Sequence, residues 1–381
     1  MAILVAARVS RAQIVSLSGV GVWLGAFAAM VPAFKARIGA DDATMGLVLM
    51  CGAAGGILGM YFTPRLAPRL GRWHHPAAGL ILALACGLVF AAATPLQFAA
   101  AFLAVALAVA YWDMGTNMRI AALETRHGVH LQNLNHAMFA FVFGGSALAV
   151  TLARRAGWEP AEIYPWIVAA LALFAAGAFE GPSWQPAPRR EDHPHARIPW
   201  GLVLPGAGIL FAAFVTENAT ESWSALHMER TLGAAHGAGG IGPAMFGVTM
   251  GIGRIFGQYL TDRLGDLRLI TWGAALGATG LVVLALAPAV PLAVAGVALF
   301  GLGVAVMVPT GNAVLGRVSP PGLQSDIIAR AWMIGFTGFF IGPSLMGAIS
   351  QATSLRVAFL FAAAVMAAAI PLVALLRRRG A

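Results

Sequence analysis

The chain divides into long apolar runs separated by short polar breaks. Twelve runs fall at residues 12–34, 43–62, 77–94, 97–121, 130–153, 160–180, 199–228, 239–261, 268–287, 290–316, 323–350 and 353–376. Most reach the roughly 20 residues with which a helix crosses about 30 Å of hydrocarbon. They lack the alternating apolar and polar positions of the ~10-residue strands of a membrane barrel, and helices satisfy their own backbone hydrogen bonds in lipid. The pattern predicts an all-α polytopic membrane protein. The longest polar break, 181–198, holds Pro182, Pro186, Pro188, Arg189, Arg190, Glu191, Asp192, His193, Pro194 and His195, which suits a linker better than a helix. It separates an N-terminal six-helix bundle, 1–180, from a C-terminal one, 199–381.

Composition sharpens this picture. The 381 residues are 59% hydrophobic and 10% charged, with 46 glycines, as expected of helices that must pack closely because lipid gives no hydrophobic drive for their association. The formal charge of +9 comes from arginines at the ends of apolar runs rather than from a basic tract, so no nucleic-acid partner is expected. With the N-terminus cytoplasmic, fifteen basic residues fall at inside ends and six at outside ends, which places both termini inside. Arg8 and Arg11 precede the first run, which reads as a retained helix rather than a signal peptide. Cys51 and Cys86 lie inside apolar runs, and with His193 and His195 in a solvated linker no metal site is expected.

One module is used twice. Arg69, Leu70 and Gly71, after the second run, recur as Arg263, Leu264 and Gly265, after the eighth, 194 residues later. His136 and Arg330 stand 194 apart in the fifth and eleventh runs, each followed by alanine. The repeat implies twelve transmembrane helices in two pseudo-symmetric six-helix bundles around a central cavity, moving by alternating access.

Charge inside the membrane points to function, because exposure to lipid is costly. At about 100° per residue, Asp113, Asn117 and Glu124 share one face of the fourth span and Arg119 points away. His136 on the fifth span is the nearest chemical partner for Asp113, or else a tie between the fourth and fifth spans. Glu217 and Glu221, one turn apart on the seventh span, disfavour joint ionisation in a dry cavity, as a proton site requires. Arg254 on the eighth span lies within ~6 Å of the depth of Glu217, at 1.5 Å per residue; it could bind solute or pair with Glu217. Trp223 could stack on a ligand or anchor at the interface. Asp326 and Arg330, one turn apart at the start of the eleventh span, read as a gate pair.

On these motifs the chain resembles the major facilitator superfamily. Gly257, Asp262, Arg263, Leu264 and Gly265 are similar to its cytoplasmic motif between helices eight and nine, whose acidic residue is expected to hold a helix end in the outward-facing state. The copy between helices two and three keeps Arg69, Gly71 and Arg72 but has Pro68 where Asp262 stands, which argues against two equal charge latches. Gly338, Gly342, Pro343 and Gly347 resemble a family packing motif in span eleven, allowing close approach and a bend. The run from Asp113 to Met118, with Glu124, His136 and the segment from Glu221 to Leu226, looks like the YbjJ-like inner-membrane branch. More distantly the chain is similar to proton-coupled sugar permeases, onto whose acidic coupling position Asp113 would fall.

The resemblance implies a monomeric secondary transporter of a bacterial inner membrane rather than an enzyme. It would move a small polar solute, a sugar or organic metabolite among them, with protons. A proton-driven drug or metabolite exporter and a non-transporting receptor or sensor are the alternatives. No phosphate-loop lysine pattern is present, so no ATP or other cofactor is expected.

Overall fold

The computed structural model describes residues 2–181, 198–320 and 323–378, and its regular structure is helical throughout. In chain order the helices are α1 (Ala2–Val9), α2 (Arg11–Arg37), α3 (Asp42–Leu70), α4 (His74–Ala91), α5 (Pro95–His127), α6 (Gln132–Arg155), α7 (Pro160–Gly177), α8 (Trp200–Leu226), α9 (Ile241–Leu264), α10 (Asp266–Leu286), α11 (Val290–Val304), α12 (Met307–Val318), α13 (Gln324–Ala352), α14 (Leu355–Ala367) and α15 (Ala369–Arg378). Ten helical runs among the described residues are long and apolar enough to span a bilayer. One of these, Asp42–Ala91, contains both α3 and α4, and α9 adds a pass made less apolar by Arg254, Asp262 and Arg263. With α11 and α12 together as one pass, and α14 and α15 together as another, the described residues make twelve. All but the two ends of the linker expected at 181–198 lies outside the described residues.

Short polar signals set the helix ends. Asp41 caps α3 by accepting from the Thr44 amide at 2.7 Å, Thr94 caps α5 ahead of Pro95, and Glu159 and Glu162 form a reciprocal box at the start of α7. The repeated Arg-Leu-Gly is not a loop, as the apolar pattern suggested. The helical backbone runs on past the apolar stretch, so Arg69 and Leu70 close α3, and Arg263 and Leu264 close α9. Each helix stops where the glycine turns to positive φ, 54° at Gly71 and 75° at Gly265, a conformation that side chains resist.

Hydrogen bonds from Thr44 hold the Asp41 carboxyl below the usual aspartate range. Because the folded value is depressed, this cap is fully present above about pH 4, the unfolded value, and is lost as pH falls through the folded one. The protection of the Thr44 amide, taken relative to its intrinsic exchange rate at each pH, should therefore fall in acid, and Asp41→Asn, a cap without a titrating group, should remove that acid dependence.

Helices α2 to α7 pack as one group and α8 to α15 as another. The groups meet where α6 lies along α9 and α13 along α3. Glycines make these seams. A methyl group on Gly247 of α9 would stand 2.5 Å from the Gly144 amide nitrogen of α6, and one on Gly46 of α3 would stand 2.8 Å from the Pro343 carbonyl of α13. In the span-eleven motif, Gly338 and Gly342 face Phe211 and Val215 of α8, whereas Gly347 faces Asp42 and Gly46 of α3. That motif thus serves both the interior of the second bundle and its seam with the first.

Candidate functional site

A cavity of about 300 Å³ lies between the bundles. Its walls come from α2, α3, α5 and α6 on one side and α8, α9, α12 and α13 on the other, and most are apolar: Trp23, Phe27 and Phe102 face Phe214, Phe336, Phe339 and Phe340. Asp113, His136, Glu217, Glu221 and Arg254 all line this one space, joined by Gln132, Asn133, Asn218, Ser222 and Asn312.

Arg254 is the hub. Its Nη2 lies 3.4 Å from Glu217 Oε1, and its Nη1 donates to the His136 backbone carbonyl at 3.1 Å, so one guanidinium ties α8, α9 and α6 together. The depths counted from sequence brought Arg254 level with Glu217, and the pair forms. Glu221 and Asp113 are also within electrostatic reach of Arg254. Three carboxylates thus line the same cavity as one guanidinium, which of the three bonds Glu217 alone, and Glu221 makes no hydrogen bond among the described residues. In a low-dielectric cavity this imbalance favours binding a proton or another cation.

The fourth-span face contributes differently from its expected roles. His136 does not pair with Asp113. Its Nε2 lies 3.0 Å from Asn117 Oδ1 and 2.9 Å from Gln132 Nε2, and Gln132 Nε2 donates to Asn117 Oδ1 at 2.8 Å. Gln132 stands one turn before His136 on the same helix and takes the imidazole for this triad. The imidazole donates to Asn117 when Nε2 carries a proton and accepts from Gln132 when it does not. Asn117 also donates to the Asp113 backbone carbonyl at 3.0 Å, linking the triad to the acidic position. Glu124 lies on the same face but caps α6 instead, accepting from the Leu131 and Gln132 amides at 2.6 and 2.9 Å. Trp223 is fully buried away from the cavity, neither stacking on a ligand nor anchoring at the surface, because its side of α8 packs into the second bundle.

Access to the cavity is one-sided. At the face opposite the termini, Asp42 of α3 receives Arg230 through two bonds of 2.7 and 2.6 Å, Lys35 at 3.2 Å and a short bond from Ser350 of α13. Beside it, Arg154 of α6 reaches His236 at 2.5 Å across the second seam. At the other end, which carries the termini, the cavity reaches exposed Gln132. The proposed gating residues lie at this end. Arg69, Arg72, Asp262, Arg263 and Asp326 are exposed and Arg330 is half-buried. Arg72 lies 6.0 Å from the Trp73 ring, Arg263 4.8 Å from that of Tyr259 and Arg330 5.9 Å from that of Trp200. Asp326 and Arg330 form no ion pair among the described residues: spacing put them on one helix side, but Trp200, at the start of α8, takes the guanidinium.

Sequence reasoning missed the Asp42 latch and a second buried cluster. Glu180 binds Arg119 at 2.7 Å, Gln13 at 2.7 Å and His75 at 3.3 Å, tying α7 to α5, α2 and α4. The fourth-span wheel already pointed Arg119 away from Asp113; the available signal was Glu180, an acidic residue at the end of an apolar run. Asn312, held at 2.8 Å by the Trp332 indole, had no such signal, because asparagine alone carries no charge cost to mark it.

Known proteins agree with this architecture. The sequence profile of the Major Facilitator Superfamily matches residues 206–381. An uncharacterised MFS-type transporter of Yersinia pestis is 28% identical over 346 residues, 89% of this chain and 88% of its own length. In fold, the chain is similar to a bacterial homologue of the human lysosomal transporter Spinster in an inward-facing, occupied conformation, with TM-score 0.71, 14% identity and 98% and 97% of the two chains covered. It is also similar to a D-xylose–proton symporter, with TM-score 0.68, 14% identity and 94% and 96% covered. The profile match over the C-terminal half, the relatives and the fold together support a transporter of the major facilitator superfamily.

Proposed function

We propose that the chain moves a small organic solute across a bacterial inner membrane by proton-coupled alternating access, with both termini cytoplasmic and the present conformation open to the cytoplasm. The observation that carries this reading is that Asp113, Glu217, Glu221 and Arg254 line one cavity at the junction of the bundles, with Glu217 paired to Arg254. A proton on this cluster reduces its net negative charge, and closing the cavity off from water costs less when the buried charge is balanced. Gln132, Asn133, His136 and Asn312 line the cavity and offer donors and acceptors for a polar solute, with Asn117 holding Gln132 and His136 in place. The excess of basic residues on the face that carries the termini supports the orientation.

Proton coupling is supported by chemistry rather than by likeness, since the D-xylose–proton symporter shares only the fold. A second reading, export of a drug or metabolite, is favoured by the aromatic walls, which suit an apolar body more than a sugar. Purified protein in liposomes, offered sugars, organic acids and amphiphilic amines under pH gradients of both signs, tests these readings. Saturable movement of one class, driven in one direction by the gradient, is expected; solute flux indifferent to the gradient would remove the coupling.

A further inference from the structure

A second cavity, of about 770 Å³, opens on the outer flank of the C-terminal bundle at the face that carries the termini. Its lining comes from the start of α10, the end of α12 and α15, and includes Arg268, Arg317 and Arg377. Asp266 is paired with Arg317, whereas Arg268 and Arg377 are exposed and make no ion pair among the described residues. The groove therefore holds two uncompensated positive charges. The rest of its wall is mostly apolar, with the exposed Trp272 one turn from Arg268 and Val373 one turn from Arg377. Water alone would not favour that wall, but a lipid chain would.

The repeat supplies an internal control. Counting back 194 residues, Arg268 corresponds to His74, Trp272 to Ala78 and Arg317 to Leu123. All three counterparts are buried and none is an arginine, so the described residues of the N-terminal bundle do not repeat this basic end; the counterpart of Arg377 lies outside them. Arg268 and Arg317 are thus particular to the second half and do not follow from the shared fold. It also lies at the depth where tryptophan and arginine meet lipid headgroups.

We infer that this groove binds one anionic phospholipid, its phosphate between Arg268 and Arg377 and an acyl chain against Trp272 and Val373. Phosphatidylglycerol is the suitable probe and phosphatidylcholine with the same chains its neutral control, read by native mass spectrometry of the full chain in detergent. Retention of one phosphatidylglycerol in preference to phosphatidylcholine is expected. Arg268→Gln with Arg377→Gln should weaken it roughly 30-fold, from the surface attraction of two arginines.

Arg268→Lys with Arg377→Lys should restore preferential retention, and Arg8→Gln with Arg126→Gln, exposed arginines at the same face, should leave it intact. Equal binding of the two lipids, an unaffected glutamine variant, a lysine variant no better than glutamine, or an equal loss from the Arg8 and Arg126 control would overturn the inference. Glycerol phosphate separates the sources of the shared chemistry. If it displaces the lipid at comparable concentration, the site recognises free phosphate and the lipid assignment fails.

Discussion

Arg254→Met is expected to abolish transport and to cost roughly 3–5 kcal/mol of stability, the range for removing one partner from a buried ion pair. The side chains of Arg254 and Glu217 are only 13% and 12% exposed, so water screens the pair little. The guanidinium also holds the His136 carbonyl, and its loss removes that tie between α9 and α6 and leaves Glu217 and Glu221 without their counter-charge. Part of the cost is relieved if one carboxylate takes up a proton, which sets the effect near the lower bound at neutral pH and smaller in acid. The double variant Arg254→Met with Glu217→Gln should regain most of the stability but none of the transport. Thermal unfolding in detergent and flux in liposomes measure the two parts separately. A single variant as stable as the parent, or one that still transports, contradicts the role of Arg254 as hub.

Asp42→Asn is expected to open the far end. The carboxylate is 3% exposed and gathers Arg230, Lys35 and Ser350 across both bundles. Asparagine keeps one acceptor but leaves two cations close together without their anion. Arg230 is 44% exposed, and water offsets part of that loss, so a shift of roughly 10-fold in the ratio of closed to open far ends is expected, about 1.4 kcal/mol. Spin labels replacing Arg37 and Thr353, exposed positions on the two sides of this seam, should show a new population at longer distance. Asp42→Glu, with its charge intact, should retain the shorter one. An unchanged distance distribution in the asparagine variant shows that the latch does not bias the states.

The sequence made the spans, the repeat and the carboxylate depths legible because each depends on position along one helix. Hydrophobic length marks a pass whatever surrounds it, and a counted rise of 1.5 Å per residue brought Arg254 level with Glu217 before any packing was known. Partner choice was less legible. A helical wheel places Asn117 and Glu124 beside Asp113, yet Asn117 joins His136 while Glu124 turns to the amides that open α6, since those amides lack partners within their own helix. Asp42 is the clearest omission. As a first-turn acid after a capping aspartate it looks like an ordinary helix start, and its three partners come from residues as far away as Ser350. Only the packing of α3 on α13, through Gly46 and Gly347, brings them within reach.

The imperfect repeat has a physical consequence. Both copies keep the glycine that stops the helix, but counting back 194 residues from Glu217, Glu221 and Arg254 gives Trp23, Phe27 and Met60, all of which line the cavity as apolar wall. The second bundle carries the charge hub while the first supplies Asp113, the His136 triad and aromatic surface. The two halves share a fold and divide the chemistry between them.

The central claim is that Asp113 and Glu217 couple protons to solute in a single cavity. Once the liposome panel has identified a solute, gradient-driven accumulation can be compared with solute exchange at equal pH. Asp113→Asn and Glu217→Gln should each lose accumulation, and Asp113→Asn, which leaves the Arg254–Glu217 pair in place, should retain exchange. Accumulation as strong as in the parent protein in both variants would contradict the claim.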